Sequence, residues 1–245
     1  MQQIVCRFAK GEAAKYISHL DLMRALERGM RRARLPLAYS EGFNPRPRVS
    51  YASAMSVGHT SGAELLALGL TQPMDPTEVM QALNASLPEG LQILQAWASP
   101  PHKPKTTLGD IDTAEYVVSV HGPLESLDLE QRVAEFAAQD RIWIRRVRDK
   151  SAKDLDLRPL VKAVKLARLD GNEAELHLTL RTGSAGGARP EEVLAALGVD
   201  GREFKAHIHR SALYASGATG PAARQKLRRM IGEGSRAAAT RKTRS

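Results

Sequence analysis

Two successive stretches of the chain repeat one order of predicted elements, and this repeat constrains the fold more than any other feature. In the first stretch, hydrophobic periodicity and turn residues predict strand 2–9, helix 19–34, strands 48–53 and 63–70, helix 76–86 and strand 91–98. In the second they predict strand 114–120, helix 125–139, strand 141–148, strand 173–182, helix 190–198 and strand 203–213. Both follow the β-α-β-β-α-β order of the ferredoxin-like arrangement. The sequence therefore predicts an α+β fold of two tandem ferredoxin-like (βαββαβ) domains.

Composition sets the boundaries of the predicted domains. The first domain spans 1–98 and ends at the Pro-rich, polar segment SPPHKPKTTLGDID, 99–112, which is typical of a linker. The second domain, 113–215, has an insertion at 149–172 whose alternating residues predict an added strand or hairpin. The last segment, 216–245, holds eight Lys/Arg and one acidic residue and is poor in aromatic and β-branched residues. A basic disordered tail is therefore expected there.

The overall charge and the single cysteine restrict the class of protein. A formal net charge of +9 and an isoelectric point near 9.9 favour nucleic acid or another polyanion as partner. Cys6 alone cannot form an intrachain disulfide, a Cys-rich zinc site or an iron–sulfur cluster. No apolar run approaches the roughly 20 residues that span a membrane, and the start, MQQIVCRFAK, predicts a strand rather than a leader. We expect a reducing, cytoplasmic setting with no membrane partner, and no feature indicates the oligomeric state.

The helix predicted at 19–34 has a basic face. Four arginines fall within an arc of about 100° opposite an apolar stripe: Arg24, Arg28, Arg31 and Arg32. Ser18 followed by Asp21 resembles a capping box at the start of this helix. Only Asp21 and Glu27 are acidic here, and neither lies three or four residues from Arg28 or Arg32. The pattern favours an anion-binding face, with a solvated charged face as the alternative.

The segment after the helix, YSEGFNPRPRVSY at 39–51, predicts a rigid loop. Gly42 permits a positive φ, while Pro45 and Pro47 fix their own φ and favour extension of the residues before them. Arginine pairs with phosphate and asparagine can read a base edge. We therefore expect nucleic-acid contacts from four residues of the loop: Phe43, Asn44, Arg46 and Arg48. The alternative is a plain connector with Phe43 packed in the core.

A cleft is predicted beside the start of the helix. The segment GHTSGAE, 58–64, precedes a strand and would close over the same surface, although a hairpin turn explains it equally well. The cleft residues would be Ser18, His19, Asp21, Ser61 and Glu64. His19 is the outside candidate for a catalytic general acid–base in RNA cleavage. A half-buried structural histidine fits its position on the helix better.

Two further patterns bear on metals and on stacking. His207 and His209 share one face of a predicted strand, but the strand expected beside them offers only Glu115 or Ser119, so no metal site and no cofactor are expected. Aromatic residues make up 4% of the chain, so base stacking is not expected to be the main mode of RNA binding. Electrostatic and shape recognition is expected instead.

Several short motifs occur together along the chain. They are Phe8-Ala9-Lys10, Ser18-His19-Leu20-Asp21, Arg24, Arg28, Pro36, Ser40-Glu41-Gly42-Phe43-Asn44-Pro45 and Gly58…Ser61…Glu64. In this combination the chain resembles the bacterial family called radical SAM-associated, a domain of unknown function, over about residues 1–215. Lys153, Asp156 and Arg158 fit a second, weaker motif. The family usually has His between the two prolines, where this chain has Arg46.

The resemblance implies a stand-alone form of a domain also found at the C-terminus of B12-binding radical SAM proteins. Because a radical SAM enzyme needs cluster-binding cysteines, the radical chemistry would belong to a separately encoded radical SAM enzyme. We therefore expect a non-catalytic, RNA-binding accessory protein that presents or positions substrate for that enzyme. One alternative is a Cas6-like metal-independent RNA endonuclease using His19, which rests on architectural resemblance alone. The other is a protein-interaction adaptor whose arginines meet an acidic partner surface.

Overall fold

The chain forms two compact units. The computed structural model describes residues 1–99, 108–148, 151–183 and 186–216. Within them, one unit consists of Met1–Ile111 with residues 214–216, and the other of Asp112–Leu213. Residues 100–107 of the expected linker and the expected tail beyond Ser216 lie outside the described residues. Each unit combines α-helices with antiparallel strands, which confirms the predicted α+β class.

The first unit follows the predicted order of elements. In the described residues these are β1 (Gln2–Lys10), α1 (His19–Arg32), β2 (Val49–Tyr51), β3 (His59–Leu70), α2 (Pro76–Asn84) and β4 (Leu91–Ala98). β1 pairs antiparallel with β3 on one side and with β4 on the other, and β2 pairs antiparallel with β3. The strand order is therefore β4-β1-β3-β2.

The core of this unit orients α1. One hydrophobic cluster contains alternate residues of β1 and one stripe of α1: Ile4, Cys6, Phe8, Leu22, Leu26 and Met30. Gly29 lies in the same stripe, where a β-carbon would stand 2.7 Å from Leu87 Cδ2. The helix therefore approaches the loop after α2 closely, and its opposite, arginine-rich face is directed to solvent.

The second unit has the same order with one addition. Its described elements are β5 (Thr113–His121), α3 (Leu129–Ala138), β6 (Trp143–Arg148), β7 (Ser151–Asp156), β8 (Val161–Asp170), β9 (Glu173–Arg181), α4 (Pro190–Ala196) and β10 (Lys205–Tyr214). The strand order in the sheet is β10-β5-β9-β8. β6 and β7 pair only with each other, antiparallel, and form a two-stranded ribbon.

The ribbon corrects two predictions about the second unit. The strand predicted at 141–148 does not join the sheet, and the insertion is the hairpin from Trp143 to Asp156 rather than 149–172. One face of β6 is not packed in a core, since Trp143 and Val147 are 64% and 66% exposed. β8 takes the sheet position instead and packs against α3.

The helices of the described residues are short. The longest, α1, has 14 residues, or about 21 Å at 1.5 Å per residue. No helix in the described ranges is long and apolar enough to cross a membrane.

Candidate nucleic-acid interface

The start of α1 has the capping geometry that the sequence predicts. Ser18 Oγ accepts a hydrogen bond from the Asp21 N–H at 3.1 Å and donates to Asp21 Oδ2 at 2.8 Å. Arg24 Nη1 lies 3.1 Å from Asp21 Oδ1. The hydrogen bond from Ser18, then the one from Arg24, holds the pKa of Asp21 below its ordinary value. Ser18 and Asp21 therefore stabilise the helix end, and Arg24 has a carboxylate partner.

The four arginines of α1 are not equivalent. All four are exposed. Arg24 pairs with Asp21, and the Arg32 guanidinium donates from Nε to the Ser86 carbonyl oxygen at 3.2 Å and also from Nη2. Arg28 and Arg31 form no hydrogen bond or ion pair within the described part of the chain. Arg28 and Arg31 are thus the cations of this helix whose donors are available to an external anion.

The loop after α1 is held by backbone hydrogen bonds to the end of β3. The Ala38 N–H donates to the Gly69 carbonyl at 2.8 Å, the Arg48 N–H to the Ala38 carbonyl at 2.7 Å, and the Gly69 N–H to the Arg48 carbonyl at 2.9 Å. Farther out, the Ser40 N–H donates to the Arg46 carbonyl at 2.8 Å, and the Arg46 N–H donates to Ser40 Oγ at 3.0 Å. The loop is therefore a narrow, hairpin-like projection whose tip is 41–45.

Phe43 stands at this tip and touches almost nothing. Its relative exposure is 105%, so the alternative that placed it in the core is wrong. The left-handed φ of +113° at Gly42 turns the backbone just before it. Asn44 and Arg46 are exposed beside it, and within the described residues the Arg46 side chain has no partner. Arg48 donates from Nε to the Tyr39 carbonyl at 3.2 Å and so braces the base of the loop.

The residues predicted to line a cleft divide into two groups. Ser18 and Asp21 are at the surface, but Ser61 and Glu64 are only 2% and 3% exposed and line no open cleft. The reason is that β3 begins at His59, so this segment starts a buried strand and does not close over the surface beside α1.

Lys10, which the sequence places in a motif but to which it assigns no role, explains part of this burial. It lies opposite Ser61 on β1 and is 1% exposed. Its ammonium donates to the carbonyl oxygens of Lys15 at 2.9 Å, Ile17 at 3.4 Å and Ser56 at 3.4 Å. A buried cation with three oxygen partners is stable, and it fixes the chain just before α1. The motif residues around it thus have a structural role.

His19 is half-buried on α1 and packs on Tyr51 of β2. The ring centroids are 6.2 Å apart with planes at 82°, an edge-to-face contact. The Tyr51 Oη is buried and has no hydrogen-bond partner in the described ranges. Burial, then the charge of Glu27, raises the pKa of Tyr51. The surroundings of His19 are those of a packed side chain.

The second motif of the sequence is structural as well. Asp156 Oδ1 accepts from the backbone N–H of Ile142 at 3.0 Å and of Arg158 at 3.1 Å. The Arg158 guanidinium donates to the carbonyls of Gln139 at 3.1 Å and Val161 at 2.9 Å. Lys153 is exposed on the ribbon. Among the described residues, no group of three or more His, Cys, Asp or Glu could hold a metal ion.

Comparison with known proteins yields one family and several distant structures. A family model described as "Uncharacterized protein conserved in bacteria (DUF2344)" matches residues 3–190. No curated protein matches the sequence. Among solved structures, the chain is similar to part of a Cbf5–Nop10–Gar1 complex at 10% identity, over 84% of this chain and 47% of that one, with a TM-score of 0.47. It is also similar to part of an H/ACA RNP bound to a substrate RNA containing 2′-deoxyuridine, at 11% identity, over 84% and 46%, with a TM-score of 0.45.

The chain spans about half the length of these solved chains. Both TM-scores are too low for either similarity to define the fold or the function.

Proposed function

The chain belongs to the bacterial family whose model matches it, and we propose that it binds RNA through the exposed arginines of α1 and the projecting loop 39–48. The observation that carries this proposal is Phe43, a fully exposed aromatic ring on a loop whose base is fixed by backbone hydrogen bonds. An aromatic ring in water at a rigid tip contributes nothing to the core. Such a ring is suited to stack on an unpaired base.

The charges around the loop support the same function. Arg28 and Arg31 project from the helix that leads into the loop, and Arg46 stands on the loop itself. None of the three has a partner within the described residues. Guanidinium groups bind phosphate bidentately, and neutralising phosphates releases counterions from the RNA. The arginines would contact the phosphate backbone and the Phe43 ring would contact one base. This combination favours single-stranded or looped RNA over a duplex, because the bases of a duplex are stacked inside it.

The family resemblance points to a partner enzyme. The bound RNA would be presented to a separately encoded radical SAM enzyme. Cys6 supports placing the radical chemistry on a separate protein, because it is the only cysteine and lies buried in the core of the first unit. The proposed protein is thus an accessory without a cluster of its own. Its partner is tested by co-purification of the two proteins with and without RNA.

We propose that both units are ferredoxin-like repeats. The order β4-β1-β3-β2 in the first unit and β10-β5-β9-β8 in the second support this, since each puts the first strand of the unit beside its third and its last.

The test is a salt titration of binding to a labelled, mixed-sequence single-stranded RNA. If Arg28, Arg31 and Arg46 each neutralise one phosphate, log K against log salt should have a slope of about −2 or steeper, at roughly −0.7 per contact. The double variant R28Q/R31Q should be shallower by about 1.4. A matched control, R181Q/R202Q, removes two exposed arginines of the second unit and should keep the slope.

Three results would contradict the proposal. An unchanged slope in R28Q/R31Q would place the interface elsewhere. Cleavage of the RNA without metal that is abolished by His19→Ala would favour the endonuclease instead, and binding to an acidic protein with no RNA affinity would favour the adaptor.

A further inference from the structure

Arg34 marks the point where α1 ends and the loop begins, and its backbone is left-handed, with φ at 52°. The Arg34 N–H donates to the Arg31 carbonyl at 3.0 Å, and the Leu35 N–H donates to the Met30 carbonyl at 3.3 Å. These two hydrogen bonds define a Schellman motif, in which the left-handed position is usually glycine.

The core prevents this motif from shifting. Leu35 and Met30 are 7% and 0% exposed and belong to one hydrophobic cluster, which is the apolar contact that accompanies the motif. Because Leu35 must remain in the core, the residue before it must be left-handed whatever its side chain. A β-carbon makes that conformation unfavourable, whereas glycine adopts it freely. The backbone therefore does not account for an arginine at this position.

Contacts within the protein do not account for it either. The Arg34 side chain is exposed, and its guanidinium forms no hydrogen bond or ion pair in the part of the chain that the structure describes. A cation at a helix C-terminus interacts favourably with the helix dipole, but Arg31 and Arg32 already occupy the last turn of α1. The remaining distinction of Arg34 is its place in the chain, between the cations of the helix and those of the loop.

We propose that Arg34 is a phosphate-binding residue of the RNA interface, kept in a strained backbone conformation because its guanidinium joins the helix and loop cations. This inference rests on the proposed RNA-binding function and adds a residue to it. Strained non-glycine residues cluster at functional sites, where the surrounding structure holds them in place. Leu35 and Met30 are that surrounding structure here.

Three substitutions separate the charge from the strain. Arg34→Gly removes both, Arg34→Ala removes only the charge, and Arg34→Lys keeps both. We expect Arg34→Gly to raise Tm by about 2–4 °C. With the same labelled single-stranded RNA, Arg34→Gly and Arg34→Ala should both make the salt slope shallower by about 0.7, while Arg34→Lys retains it. The control Arg202→Gln should change neither the slope nor Tm.

The outcomes distinguish this inference from the proposed function. If R28Q/R31Q weakens binding but Arg34→Gly and Arg34→Ala leave the slope unchanged, Arg34 is no phosphate contact and this inference alone is wrong. If the slope of R28Q/R31Q is also unchanged, the whole interface is wrong. A lower Tm for Arg34→Gly than for wild type would overturn the strain argument, because relief of a left-handed β-carbon should not destabilise the fold.

Discussion

Arg146 and Glu192 form a bidentate ion pair, with Nε 2.6 Å from Oε1 and Nη2 2.6 Å from Oε2. Both side chains are largely buried, at 15% and 14% exposure. Arg146 also donates to the Gly187 carbonyl, and Glu192 accepts from the Arg189 N–H at the start of α4. Since β6 and β7 pair with no strand of the sheet, this pair is a principal attachment of the ribbon to the rest of the second unit.

Breaking this pair should destabilise the protein. Arg146→Met leaves the Glu192 carboxylate partly buried without its partner, so we expect a loss of roughly 2–4 kcal/mol in the free energy of unfolding. Urea denaturation measures it. Arg145→Met, one residue away on the exposed face of the ribbon, is the control and should change stability by less than about 0.5 kcal/mol. Equal effects of the two variants would show that the ion pair does not fasten the ribbon.

Replacing Lys10 should destabilise the first unit. In Lys10→Met, the carbonyls of Lys15, Ile17 and Ser56 lose a charged donor that bonds all three, and a loss of roughly 3 kcal/mol is expected. The exposed Lys165→Met is the matched control. Thermal unfolding followed by circular dichroism distinguishes them. A Lys10→Met protein as stable as the control would mean that the buried ammonium is replaceable by an apolar chain.

Tyr51→Phe should stabilise the protein and flatten its alkaline unfolding. The variant removes a buried hydroxyl that has no partner, so a gain of about 1 kcal/mol is expected. Because burial raises the pKa of Tyr51, the folded protein holds the phenol proton more tightly than the unfolded chain does. The stabilisation from this difference is fully present below the unfolded pKa near 10 and is lost as pH rises above it. Burial also raises the pKa of Cys6 to about 12, so stability falls at alkaline pH in both wild type and Tyr51→Phe. Urea midpoints between about pH 8 and 11 should therefore fall more steeply for wild type than for Tyr51→Phe; parallel curves would contradict this.

Phe43→Ala should leave stability unchanged and weaken RNA binding. The side chain is fully exposed, so its removal should alter the free energy of unfolding by less than about 0.5 kcal/mol. Loss of one stacked base should cost roughly 1–3 kcal/mol in affinity. Phe43→Trp should retain binding, and Leu169→Ala, which removes an exposed apolar side chain of the second unit, should not affect it. Equal affinities of Phe43→Ala and wild type would remove the stacking role.

Much of the first unit was predictable because local signals agree with the tertiary structure. The cap at Ser18 and the apolar stripe define α1 to within two residues of its observed end. Its basic face was also predictable, but the partners of Arg32 were not. The Ser86 carbonyl lies 54 residues farther along the chain, and no local sequence pattern predicts such a contact.

The errors have the same physical origin. The sequence pattern predicts a strand for both β6 and β8. Which of them joins the sheet depends on packing against α3, and hydrophobic periodicity alone does not predict that packing. Polar residues such as Ser61 and Glu64 were assigned to a surface because polar groups are usually exposed. Their burial beside Lys10 depends on strand register. Phe43 is not among these errors, because its full exposure agrees with the loop contact that the sequence predicts and only the alternative of core packing was wrong.

The isolation of the Phe43 tip makes folding and binding genetically separable. Destabilised variants are degraded in cells, so a phenotype from most core substitutions reflects reduced abundance. A substitution at a side chain that touches almost nothing does not lower the amount of protein. A strain carrying Phe43→Ala should therefore contain normal levels of the protein, and any defect could be attributed to the lost contact itself.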